Sequence, residues 1–361
     1  MSPEPKQQKP GGRVVGLDVA RGALMAYVII VIHGVFWLGL LPQPWSTVLL
    51  FEMPPIFVIT GAAFFYAERG KPLTFGSYAM FIARRFLRIL APYWAYALAA
   101  VAIVLAFGIS HDPAAALMSW LNPGTRGSGH TFLMLSWHLW FVPPFLAVTA
   151  LLPFLSRIPA PKLPLPVWAA IGAGVVLAAT ALDPTHYDWQ TIAFYALWAV
   201  FGIGLVAAPG RYGLADYALM LALSFAAMAV LVFLLPDATL NMQANKFPPN
   251  VMFFAFSCAW MAVLLIVSKV LTDETVEKFA ASPLLKPFIA SGYSLYLWQG
   301  VGYTAAAYVG RAQGWSPWII WPIAIALTVV LGLMASPLER LKIPRSKSFQ
   351  TAGGRSGIQG S

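Results

Sequence analysis

Long apolar runs broken by short polar stretches recur ten times along the chain. They fall at about 22–41, 46–66, 87–108, 132–155, 166–182, 190–208, 216–235, 249–269, 285–309 and 317–337. Each approaches the roughly 20 residues that carry a helix across a bilayer core of about 30 Å. Most runs are apolar all round, which predicts buried or lipid-facing helices, not amphipathic surface helices. The alternating segments of about ten residues that a β-barrel would need are absent. The pattern predicts an all-α polytopic membrane protein with about ten transmembrane helices embedded in a lipid bilayer.

Composition agrees. Of 361 residues, 59% are hydrophobic and 10% charged, against about 25% charged in soluble domains. A soluble enzyme, a disordered chain and a disulfide scaffold are thereby excluded. The single cysteine, Cys258, lies in an apolar run and reads as core filler. The first run is long, follows Arg21 and lacks a small-residue cleavage site, so it reads as a span and not as a cleavable signal.

A net charge of +10 raises the question of a nucleic-acid partner, and the placement of the charge argues against one. With ten spans and a cytoplasmic N-terminus, only Arg126, Lys246 and Arg311 of the 23 basic residues fall on the external side. So strong a bias predicts both termini in the cytoplasm, as for a protein of a bacterial-type inner membrane. Residues 1–12 and 341–361 read as flexible cytoplasmic tails around a membrane domain at 13–340. The longest connections are expected at 67–86, 109–131 and 236–248.

Charged and titratable groups are costly in hydrocarbon, so those inside the runs are candidate chemistry. Glu52 is the one acid inside a run, and His33 and His138 are the buried-run histidines. Counting rise per residue puts His33 and Glu52 at about the same depth on neighbouring antiparallel spans. This predicts a Glu52–His33 pair, direct or water-bridged; the alternative is that each finds its own partner. His33 alone could equally be an interhelical hydrogen-bonder. Arg85 and Arg88, spaced i,i+3, share a helix face and could grip phosphate, or could simply anchor a span at headgroups. The stretches HLWFVP (138–143) and GYSLYLWQGVGY (292–303) could line a polar cavity or act as interhelical glue.

These pieces, in this order, resemble the integral-membrane acyltransferase family known as acyltransferase 3. GLDVARGALMAYVIIVIHG is similar to its Leu-Asp-x-x-Arg-Gly opening with a His in the first span. MPPIFVITGAAFF, RRFLRILAPYW, SWHLWFVPPFL and GYSLYLWQ resemble four later segments. The resemblance covers about residues 13–340. It implies transfer of an acyl group, commonly acetyl, from cytoplasmic acyl-CoA to a hydroxyl on a carbohydrate or small molecule, in some members across the membrane. It implies an essential His33, with Arg21, Arg85 and Arg88 near the CoA donor. Glu52 is expected to orient His33 as base, and His138, Trp140, Tyr296 and Gln299 to contact substrate. Acetyl-CoA is then the expected donor substrate.

Two departures stand out. Gln299 occupies the place of a family His and cannot titrate. Eleven residues, not ten, separate Arg21 from His33. On an ideal helix the extra residue moves their angular offset from about 20° to about 120°. A π-bulge, or an Arg21 outside the regular helix, would absorb the shift. No metal site is expected, since no ligand cluster has suitable spacing. A competing reading is a proton-coupled transporter or flippase using His33 and Glu52, which the lack of an internal repeat disfavours. An N-acyltransferase and a non-catalytic sensor are further alternatives.

Overall fold

The computed structural model describes residues 14–158, 163–182, 187–234 and 238–341. The proposed tails fall almost wholly outside this range. Among these described residues fourteen α-helices follow in order: α1 Val15–Ala26, α2 His33–Leu38, α3 Met53–Glu68, α4 Phe75–Ala106, α5 Pro113–Leu121, α6 Val142–Leu155, α7 Leu165–Leu182, α8 Tyr187–Ala207, α9 Leu214–Leu234, α10 Met242–Lys246, α11 Val251–Val270, α12 Asp273–Ala281, α13 Lys286–Ala312 and α14 Pro317–Ala335. No strand occurs among the described residues.

All ten apolar runs become helical, and nine of the helical stretches are long and apolar enough to cross a membrane among the described residues. The tenth, α13, has 27 residues, about 40 Å of helix. It is less apolar than the other nine, carrying Ser291, Ser294, Gln299 and Thr304, all buried. A helix this polar belongs inside the bundle, and α13 indeed packs along α14 and α1. Three connections expected as loops contain short helices: α5, α10 and α12. Asp112 caps α5 by accepting from the backbone N–H groups of Ala114 and Ala115.

The apolar helices are interrupted where polar groups gather. Between α1 and α2 the backbone widens into a π-helical turn, Tyr27–Ile32. It lies between Arg21 and His33, at the place of the first of the two ways that would absorb the longer spacing. The turn is held from outside: the Tyr303 hydroxyl donates to the Ile29 carbonyl at 2.6 Å, and the Trp321 indole N–H to the Ile30 carbonyl at 2.8 Å.

The second run is also broken. A 3-10 turn at Trp45–Leu49 ends before α3, which starts afresh with Pro54 and Pro55 in its first turn. Proline lacks the N–H that a continuing helix would need, and it is pre-set for a first turn. Glu52 therefore sits at a helix start, not within one. The fourth run repeats the device: a 3-10 turn at Trp137–Phe141 precedes α6, which opens with Pro143 and Pro144.

α3 crosses α8 with backbones almost touching. A Cβ on Gly61 would run into the Ala199 carbonyl, and one on Gly202 into the Val58 carbonyl. The crossing presses Phe57 against Tyr195, with ring centroids 4.4 Å apart, and fixes the start of α3 beside the site.

Candidate active site

Two polar cavities lie within the bundle. The first, of about 620 Å³, is lined by His33, Glu52, Trp137, Trp140, Lys246 and Tyr296 among others. Much of the wall comes from interruptions: the π turn, the 3-10 turn before α6, the break before α3, and α10. Irregular backbone at membrane depth is tolerated where protein buries it or where it borders a cavity.

His33 is fixed on two sides. Its ring stacks on Trp37, one helical turn later, with centroids 3.9 Å apart. Its Nδ1 lies 2.6 Å from Gln299 Oε1. With an amide oxygen facing it, Nδ1 is the donor, and in the neutral ring Nε2 carries the lone pair. The expected Glu52–His33 pair does not form. Glu52 instead makes an ion pair with Lys246, both side chains 3% exposed. Both residues line one cavity, but Glu52 meets Lys246, which comes from the connection between the seventh and eighth runs. α10 carries it inward, over the Trp140 ring at 5.4 Å from the centroid.

The second cavity, of about 250 Å³, is lined by Arg21, Arg85, Arg88, Thr60, Tyr293 and Glu339 among others. Arg21 comes from α1, and Arg85 and Arg88 from one face of α4. Arg21 also pairs with Asp18 at 2.9 Å. Glu339 answers a kink in α13: at Ser291 the backbone leaves helical values (φ −143°, ψ 30°), and the Glu339 carboxylate accepts the Ser294 N–H. Three guanidiniums against two carboxylates, Asp18 and Glu339, leave an anion-receptive cleft.

The two cavities share Met53 and Tyr296 as lining residues. Tyr296 is held by its hydroxyl, which donates to the His138 carbonyl. A third cavity, of about 1250 Å³ between α9 and α11, is larger but has no titratable group in its lining, so it offers no acid–base chemistry.

Of the residues singled out from sequence, His33, Glu52, Trp140 and Tyr296 meet at the first cavity, and Arg21, Arg85 and Arg88 at the second. His138 and Gln299 line neither. His138 is 1% exposed, with Nε2 3.0 Å from the Leu297 carbonyl. Gln299 is fully buried behind His33. Sequence reasoning assigned no role to Lys246, Arg126, Trp37 or Glu339. A signal for two of them existed: Lys246 and Arg126 are two of the three basic residues on the expected external side, where the bias against cations is strong. Among the described residues no group of three His, Cys, Asp or Glu side chains could hold a metal ion.

The family model described as Acyltransferase domain, acyltransferase 3, matches residues 14–336. Comparison with curated proteins and with solved structures finds no match.

Proposed function

The chain belongs to the acyltransferase 3 family and is a membrane acyltransferase; we propose that its donor is acyl-CoA, acetyl-CoA first, and its acceptor a hydroxyl on a carbohydrate or small molecule. The observation that carries this reading is the pairing of an arginine-lined cleft with a histidine-lined cavity across Met53 and Tyr296. In this reading Arg21, Arg85 and Arg88 hold the CoA phosphates at the cytoplasmic face. The pantetheine arm extends past Met53 and Tyr296 and brings the thioester to His33. Both termini then lie in the cytoplasm, the membrane is a bacterial-type inner membrane, and the acceptor arrives from the opposite side.

The chemistry follows from the ring's hydrogen bond. The acceptor oxygen attacks the thioester carbonyl as its proton passes to His33 Nε2. Gln299 keeps Nδ1–H oriented, and its carbonyl dipole favours the imidazolium that forms. The tetrahedral adduct collapses, the C–S bond breaks, and the CoA sulfur takes the proton back from His33. Glu52 pairs with Lys246 and holds its ammonium in the cavity wall, over the Trp140 ring.

The test is acyl-CoA thioester cleavage by purified protein in lipid nanodiscs, with acetyl-, succinyl- and longer acyl-CoA, comparing wild type with His33→Ala. Cleavage by wild type that falls by about 10²–10⁴-fold in a folded variant supports the reading. No cleavage of any donor, with envelope extract supplied as acceptor, overturns it and favours transport through the His33 cavity.

A further inference from the structure

The His33 cavity has a charge balance that the chemistry above does not use. Glu52 and Lys246 cancel each other. Arg126 also lines the cavity, and among the described residues no carboxylate pairs with it. Its guanidinium makes a single, long hydrogen bond, 3.4 Å from Nη1 to the Trp140 carbonyl. Most of the five N–H donors of its guanidinium are therefore uncommitted. The cavity keeps one net positive charge, on the side where this chain otherwise avoids cations.

The loop around Arg126 is built to hold it there. Arg126 takes left-handed backbone angles (φ 52°), uncommon for a residue with a side chain. Its N–H donates to the Asn122 carbonyl at 3.0 Å, and the N–H of Gly127 to the Ser119 carbonyl at 2.9 Å. Gly127 packs where a Cβ would strike the Trp120 indole. Lining the same cavity are Trp137, which is 55% exposed, Trp140, Gln43 and Gln243. Indole faces accept the C–H face of a sugar ring, and amides both donate to and accept from hydroxyls.

We infer that the acceptor is an anionic carbohydrate, with a carboxylate or phosphate on the Arg126 fork and its ring against Trp137 and Trp140. This rests on the acyltransferase reading for the word acceptor, but the site is defined by its own residues. A planar fork matches an oxyanion bidentately, whereas a lysine supplies only a point charge.

The experiment is ligand-observed saturation-transfer NMR on protein in nanodiscs, with methyl β-glucuronide, methyl β-glucoside and inorganic phosphate as probes. Expected is at least tenfold tighter binding of the glucuronide than of the glucoside to wild type, with the difference reduced in Arg126→Lys and lost in Arg126→Gln. Equal affinity of the two glycosides for wild type overturns the inference, and that comparison needs no variant to fold. Persistence of the preference in Arg126→Gln overturns the role of Arg126. Phosphate binding as tightly as the glucuronide overturns the carbohydrate platform. Thioester cleavage is measured on the same wild-type sample: cleavage without a glycoside preference sinks this inference alone, and a preference without cleavage sinks the acyltransferase chemistry alone.

Discussion

His33 Nδ1 lies 2.6 Å from the side-chain oxygen of Gln299, bridging the first run of the chain to the ninth. In the proposed chemistry the amide orients His33 without competing for its proton. Removing it as Gln299→Ala frees the imidazole to rotate and change tautomer. A net hydrogen bond of about 0.5–1.5 kcal/mol converts to a loss of roughly 2- to 13-fold in turnover. The loss is expected in kcat, with KM for the donor unchanged, because Gln299 lines neither cavity. Gln299→Glu, which still accepts from Nδ1–H, is expected to retain more activity than Gln299→Ala. Steady-state kinetics in nanodiscs check both; a pure KM effect would mean that Gln299 contacts substrate.

Glu52 and Lys246 form a buried ion pair, so neither tolerates loss of the other. Glu52→Gln or Lys246→Met alone is expected to cost about 3–5 kcal/mol, because an uncompensated charge remains in the interior. The double variant removes both charges and is expected to recover most of that stability. Thermal unfolding in detergent reads the cycle, and additive losses in the double variant would show that the two charges are not coupled. A stable but inactive double variant would locate Lys246 in the chemistry and not only in the fold.

Much of the fold was legible because apolar periodicity is a local property. The ten runs, the polar ninth helix and the His33 and arginine candidates could all be read from neighbouring residues. The one-residue excess between Arg21 and His33 left two alternatives, a π-bulge or an Arg21 outside the regular helix, and a π turn is found there. What periodicity cannot register is an interruption that gains meaning only in three dimensions. Pro54–Pro55 and Pro143–Pro144 are visible in the chain, yet the cavity they open exists only when two broken helices meet. Lys246 and Gln299 lie 194 and 266 positions from their partners, and no local signal pairs residues at that range.

Arg85 and Arg88 are expected to act on the phosphates of the donor and not on its thioester. Arg85→Ala and Arg88→Ala should each raise KM for acetyl-CoA by roughly 10- to 150-fold, the span of a charge-assisted hydrogen bond of about 1.5–3 kcal/mol. Acetyl-pantetheine lacks the nucleotide phosphates, and its KM should barely change. Equal effects on both donors would make the arginines structural anchors.

The crossing of α3 and α8 depends on absent side chains. Gly61→Ala places a methyl group against a backbone carbonyl that cannot move aside, so a marked fall in melting temperature is expected. Gly174→Ala, on α7, meets nothing within 4 Å and gains helix propensity of up to about 1 kcal/mol. Its melting temperature should hold or rise. The pair separates close packing from a general intolerance of alanine.

The direction of transfer turns on which way the bundle is inserted, and the lone cysteine makes this testable. Cys258 is 2% exposed and should stay silent toward a membrane-impermeant maleimide. Lys278→Cys places a thiol on the exposed α12, and Arg311→Cys one at the far end of α13, each in an otherwise wild-type chain. The positive-inside bias puts α12 in the cytoplasm with the Arg21–Arg85–Arg88 cleft, and the end of α13 outside. In intact spheroplasts Arg311→Cys should label and Lys278→Cys should not, until the membrane is permeabilised. The reverse pattern would turn the arginine cleft outward, away from any cytoplasmic acyl-CoA, and would remove the donor assignment even if His33 proved essential.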